Sequence, residues 1–159
     1  MKSLWRVSNH CDLSGLGGEK ADGRWHTAAR GKRIVYLSEH PSLALIENLA
    51  NLKGNPALFP GKYQLLEVEV EDEVVSAARY VMEEDGRRLP SLAKPLPWTQ
   101  KEGDSWLKEG KSALMVVPSF PSPYSLNFLL NPLHPDARRG RIGGCHWLEY
   151  DQRLFRIRS

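Results

Sequence analysis

The stretch YQLLEVEVEDEV, residues 63–74, restricts what this chain can become more than any other. Leu66, Val68 and Val70 alternate there with Glu67, Glu69 and Glu71. A period of two belongs to a strand; a helix would scatter the same residues around its axis. One face is apolar and has to be covered, while the other carries carboxylates and has to stay wet. A strand with one wet face belongs in an antiparallel sheet.

Other segments agree with a sheet. SLWRV near the start reads as a short first strand. RIVYLS reads as another, with Ile34, Tyr36 and Ser38 on one face and Val35 and Leu37 on the other. PSLALIENLANLKG predicts a helix of about ten residues, because Pro41 suits its first turn and Gly54 its stop. ALMVV predicts a buried strand ended by Pro118. In TQKEGDSWLKEG, Thr99 and Glu102 stand at capping-box spacing, so a short helix is expected to start there. The tail QRLFRIRS alternates and reads as a last strand. NHCDLSGLGGEKADG and SFPSPYS read as loops, and residues 76–97, with Pro90, Pro95 and Pro97, as a surface wrap. Strands outnumber helices. The expected fold is α+β, a mostly antiparallel sheet with short peripheral helices.

Composition narrows the function. A chain of 159 residues, 41% apolar and 26% charged, suits one globular domain with a real core. A net charge of +3 is too small to demand a polyanionic partner. Cys11 and Cys145 are isolated and form no C-x-x-C, so neither zinc nor a thioredoxin-like motif is suggested, and a disulfide between them stays open. His26, His40 and His134 lack metal-ligand spacing. The start MKSLWRVSNH carries no apolar core of a secretory signal, and no apolar run reaches bilayer length. A reducing, cytoplasmic setting is therefore expected.

Four residues could carry chemistry. Glu47 lies among Leu43, Ala44 and Ala50 on the predicted helix, where a carboxylate is costly unless paired. It is either a structural partner of an arginine or a functional acid. Arg24, in DGRWH, offers a planar fork for phosphate or carboxylate, or ties down the long loop. Tyr36 either packs in the core or reaches a ligand. Ser119 has no G-x-S-x-G elbow around it and is no obvious nucleophile. Trp25 reads as a core anchor. Asn127 and Asn131 stand four apart around an apolar core, Asn131 as a turn or cap. Arg138 to Arg158 holds six arginines, either a solvated face or a phosphate contact.

The order of these pieces resembles a known family. An early WR, a glycine-rich loop ending in GRW, then VYLSEHPSLALIE, GDSWL, ALMVVPS and NFLLNPLHPD resemble the RES domain, over nearly the whole chain. The resemblance implies one domain over residues 1–159 and a fold like that of ADP-ribosyltransferases. It also implies the toxin half of a bacterial toxin–antitoxin pair. The partner would be a helical Xre-type antitoxin with a segment that plugs the active site, and dimers are common in the family. The family's Arg, Tyr, Glu and Ser fall on Arg24, Tyr36, Glu47 and Ser119. His26 departs from the Asn usual after the Trp, and HTAARGKR is slightly longer than usual.

The family consumes NAD+ as a substrate, through hydrolysis, phosphorolysis or ADP-ribose transfer to a protein. The chain has no G-x-G-x-x-G after a strand, consistent with NAD+ not being a bound hydride carrier. Breaking the nicotinamide–ribose bond builds positive charge on the ribose, which a fixed carboxylate stabilises. Glu47 is the expected carboxylate. Arg24 is expected on the pyrophosphate or nearby ribose, Tyr36 stacked on nicotinamide, and Ser119 on the ribose or carboxamide. The rivals are an RNA-cleaving or nucleic-acid-binding toxin that uses the arginine-rich tail, and a silent module that binds only its antitoxin.

Overall fold

The alternating stretch forms β3, Tyr63–Val70, inside a seven-stranded sheet of a computed structural model that describes residues 1–53, 63–81 and 95–155. The other strands are β1 Lys2–Ser8, β2 Val35–Ser38, β4 Arg79–Tyr80, β5 Leu114–Pro118, β6 Leu126–Leu130 and β7 Gly140–Leu148. Their order is β4-β5-β6-β2-β1-β3-β7. Among the described residues only the β4–β5 pair is parallel, and the α+β expectation holds. Helices α1 (Pro41–Asn51), α2 (Asp72–Ser76) and α3 (Leu96–Glu109) lie around it.

Along β5 and β6 both faces of the sheet are covered. Leu4, Val35, Leu37, Val68, Val70, Val116 and Phe128 form a core on one side. Trp25, Ile34, Trp106, Met115, Val117 and Leu129 form a second on the other. β5 and β6 send alternate residues to each, which is why ALMVV reads as an unbroken apolar run. Complete burial of Leu66, Val68 and Val70 contributes about 1.5–3 kcal/mol each relative to exposure.

The sheet opens at one seam. β1 pairs with β3 at seven residues, Lys2 to Ser8, but with β2 only at Trp5↔Ser38. Beyond that point β1 and β2 part, and the gap becomes the cleft described below.

Several expectations need correction. β3 ends at Val70, and Glu71 is instead the N-cap of α2, so EDEV is helical. The preceding carboxylates do find cations: Arg141 donates to Glu69 at 2.9 Å and Arg139 to Glu71 at 2.8 Å. Thr99 is not a cap. α3 starts earlier, after Pro95, and Thr99 is fully buried in its first turn. QRLF is a short 3-10 turn, Gln152–Phe155, and not a strand; the rest of that tail lies outside the described residues. Gly54 and Pro90 also lie outside them, and α1 ends at Asn51. Part of the supposed surface wrap is sheet, Arg79–Tyr80 along β5. Cys11 and Cys145, left open by the sequence, are joined by a disulfide with Cα atoms 6.6 Å apart.

Candidate functional site

Where β1 and β2 separate there is a cleft of about 710 Å³. Arg24, Tyr36 and Glu47 all line it, joined by Arg6, Trp5, Ser38, Asn127 and Phe120. Three of the four residues expected at a site therefore meet on one surface, brought from a loop, a strand and a helix.

Glu47 stands on the half-buried face of α1, one turn after buried Leu43 and Ala44. No arginine pairs with it among the described residues. Its Oε1 accepts two hydrogen bonds instead, from Ser119 Oγ at 2.7 Å and from Asn127 Nδ2 at 2.5 Å. Oε2 has no partner among the described residues. A carboxylate can only accept, so Asn127 must turn its amide nitrogen to Glu47; its Oδ1 then accepts from Ser38 Oγ at 2.9 Å. Ser38 and Asn127 sit directly opposite each other on β2 and β6. The chain Ser38–Asn127–Glu47 thus ties the helix to the sheet, holding one oxygen and leaving the other to the cleft.

Ser119, expected on the ribose or carboxamide, is not among the residues that line the cleft. It is fully buried, its hydroxyl proton goes to Glu47, and its oxygen accepts from Ser122 N at 3.1 Å. It stands behind the carboxylate and orients it.

Arg24 is exposed, and its guanidinium lies 4.1 Å from the centre of the Phe120 ring. Such stacking holds the fork in place without neutralising it. The turn beneath is clamped by α3: Thr99 Oγ1 donates to Arg24 O at 2.6 Å, and Gln100 Nε2 to Gly23 O at 3.1 Å. Trp25 is the core anchor expected, edge-on to Trp98 and Phe120.

Tyr36 shows its ring to the cleft while its hydroxyl is engaged in the wall. The phenol oxygen accepts from Trp25 N at 3.1 Å and lies 2.8 Å from His26 Nδ1. Burial pushes the phenol's pKa well above 10, so it stays protonated. Gly23 must lack a side chain here, because a Cβ would collide with the Tyr36 hydroxyl and lie 2.7 Å from His26 Nδ1.

Arg6 is the residue that sequence reasoning missed. It lines the cleft, and desolvation lowers its pKa, with Asp12 only partly offsetting that effect. It has no hydrogen bond or ion pair among the described residues. The sequence gives Asn127 no role of its own, though a polar residue inside the buried run LNFLL is a signal of one. Arg6, a charge inside SLWRV, gave the same kind of signal. Among the described residues of the arginine-rich C-terminal region, Arg139, Arg141 and Arg153 pair with Glu71, Glu69 and Asp151.

An α+β sheet opens here on a polar cleft that holds a carboxylate bonded through one oxygen and, among the described residues, two guanidiniums without an ion pair. The family model described as the RES domain matches residues 3–150, and the chain belongs to that family. A protein named Toxin Res from Pseudomonas putida is 36% identical, over 87% of this chain and 90% of its own. A protein named Prs ADP-ribosylating toxin from a Sphingobium species is 31% identical, over 97% of each chain. A chain of the crystal structure of the M. tuberculosis MbcT–MbcA toxin–antitoxin complex has the same fold. Its TM-score is 0.72 over 92% of this chain and 84% of that one, at 16% identity.

Proposed function

We propose that this chain is the toxin of a type II toxin–antitoxin pair and cleaves NAD+ at the bond between nicotinamide and ribose. The observation that carries the reading is the carboxylate of Glu47. One oxygen is fixed by Ser119 and Asn127 and the other is open to a cleft of about 710 Å³, a volume suited to a dinucleotide. The relatives' names support the same reading.

As the glycosidic bond lengthens, positive charge grows on the ribose while nicotinamide leaves as a neutral ring. Glu47 stabilises that charge through Oε2 and accepts from a ribose hydroxyl. A carboxylate already oriented spends nothing on reorganisation at that moment. Arg24 and Arg6 hold the pyrophosphate, and the Tyr36 ring packs on nicotinamide. Ser119 is a positioning residue, not a nucleophile. NAD+ is substrate, and the acceptor of ADP-ribose is water, phosphate or a protein side chain. An Xre-type antitoxin that fills the cleft, a homodimer and a cytoplasmic setting complete the proposal.

The test is NAD+ consumption by the purified chain, with and without inorganic phosphate, with products separated. Free ADP-ribose names water as acceptor, and its 1″-phosphate names phosphate. Intact NAD+ in both buffers, and with a lysate as source of protein acceptors, would defeat the enzymatic reading in favour of a silent antitoxin-binding module.

A further inference from the structure

His26 is 3% exposed and sits behind Tyr36, their ring centres 5.7 Å apart. Its two ring nitrogens have different partners. Nε2 lies 3.2 Å from Gly18 O, a carbonyl that can only accept, so Nε2 carries the proton. Nδ1 of the neutral ring is then a bare acceptor. The Tyr36 hydroxyl, 2.8 Å away, must donate to it, while accepting from Trp25 N. Every proton in this chain has one place to go. The tyrosine therefore offers the cleft a ring face and no hydroxyl donor.

We propose that His26 is a positioning residue acting through Tyr36: its neutral ring accepts the phenol's hydrogen bond and keeps Tyr36 an uncharged stacking wall for a cationic pyridinium. The proposal rests on the nucleotide reading given above. An imidazolium at His26 would reverse the polarity. Nδ1 would then donate to the phenol oxygen, already an acceptor from Trp25, and the phenol proton would turn away, toward the cleft. A positive charge would also stand one ring behind the site of a positively charged nicotinamide, where little water separates them.

The surroundings favour the neutral form. Burial lowers the pKa of His26 from 6.5 and outweighs the carbonyls of Gly18 and Ala21 and the charge of Asp104, which act upward. Lys32, from the following loop, acts downward with burial. Tyr36 faces it from β2 and Asp104 from α3.

The first arm needs no turnover. Nitrogen-15 shifts of the His26 ring are expected to report an Nε2-protonated tautomer at neutral pH. In Tyr36→Phe its titration should move upward by about one unit, since a donor to the neutral ring is lost. The second arm is kinetic. The KM for NAD+ should rise as pH falls through the His26 titration, with kcat nearly constant. His26→Gln, which can keep the bond to Gly18 but not the acceptor for Tyr36, should raise KM about five- to tenfold. His26→Asn, whose Oδ1 can stand near the place of Nδ1, should restore much of that loss and remove the acid limb. Thermal midpoints confirm that each variant is folded.

An Nδ1-protonated tautomer, or a titration indifferent to Tyr36→Phe, overturns the proposal. So does a KM that is equal in His26→Gln and wild type. A wild type with the expected tautomer but no NAD+ turnover would instead remove the nucleotide reading and leave the proton arrangement standing.

Discussion

One side chain carries most of the proposed chemistry, and its neighbours determine how. Glu47→Gln preserves size and removes charge, so it should lower NAD+ consumption by about two to three orders of magnitude. Its thermal midpoint should stay close to wild type; a rate near wild type would remove Glu47 from the mechanism. Asn127→Leu tests the same oxygen from behind. It leaves Ser119 as the only holder of Glu47 Oε1 and strands the Ser38 hydroxyl, so activity should fall tenfold or more with a stability loss of about 1–3 kcal/mol. Arg24→Lys keeps the charge but not the fork over Phe120. It should raise KM about tenfold or more, with a smaller change in kcat. His26 adds a pH dependence of stability. Its folded pKa lies below its unfolded value, so the unfolded state binds more protons just below pH 6.5. Stability should therefore drop on acidification through that window in wild type, and less in His26→Asn, as chemical denaturation across pH would measure. Arg24, Tyr36 and Glu47, singled out in the sequence, line one cleft, and Ser119 stands behind it. Which way hydrogen bonds run is not written in a sequence, so the bond from the Ser119 hydroxyl to Glu47 was not legible there.

The elements differ in how plainly they were written. β3, β5 and α1 were readable because periodicity, proline position and burial all agreed. α2 and α3 were not. EDEV continues the alternation of β3 by eye, but residues 72–76 close a turn of helix once Glu71 caps them. α3 begins at Leu96 because Pro95 and Pro97 fit a first turn, while the Thr99–Glu102 spacing that suggested a later start serves other ends. Thr99 bonds to Arg24 O, and Glu102 accepts from Arg79 at 2.6 Å. What fixes α3 in place is a contact no local pattern shows. At Gly103 an added Cβ would collide with the carbonyl of Trp25, so the helix lies directly on the turn that presents Arg24 and His26. One residue on, Asp104 accepts from Thr27 N at 3.0 Å and from Lys32 Nζ at 2.9 Å. Burial alone would raise the Asp104 pKa, but the bonds from Lys32 and Thr27 win and hold it low. Gly103→Ala should push α3 off this turn. The expected loss is about 1–3 kcal/mol of stability, with a raised KM for NAD+ as Arg24 shifts. Calorimetry and kinetics on the same sample check it, and an unchanged KM would show that the turn holds its shape without α3.

At the level of the molecule, sheet order was beyond the sequence, since β1 pairs with β3 in full yet pairs with β2 at a single residue. That asymmetry creates the cleft. On the β1 side of the opening, the loop that follows β1 is tied to the edge strand β7 by the disulfide between Cys11 and Cys145, 134 residues apart. Cys11 lies three residues past the end of β1, in the loop that runs on to Gly17 and Gly18 on the cleft wall. Cys145 lies on β7, opposite Leu66 of β3. Both cysteines are exposed, so reductants reach the bond. A cross-link closing so long a loop restricts the unfolded chain strongly and stabilises by about 2–4 kcal/mol in typical cases. A reducing cytoplasm would keep such an exposed pair as thiols for much of the time. The two states should therefore differ in stability more than in chemistry, because neither cysteine lines the cleft. Reduction, or the Cys11→Ser and Cys145→Ser double variant, should lower the thermal midpoint by several degrees, roughly 4–8 °C per kcal/mol for a small domain and less for one of this size. The rate of NAD+ loss at 25 °C should change little. A midpoint insensitive to reductant would mean that the folded chain in solution holds two free thiols. A large change in rate would mean instead that the loop from Cys11 to Gly18 governs access to the cleft.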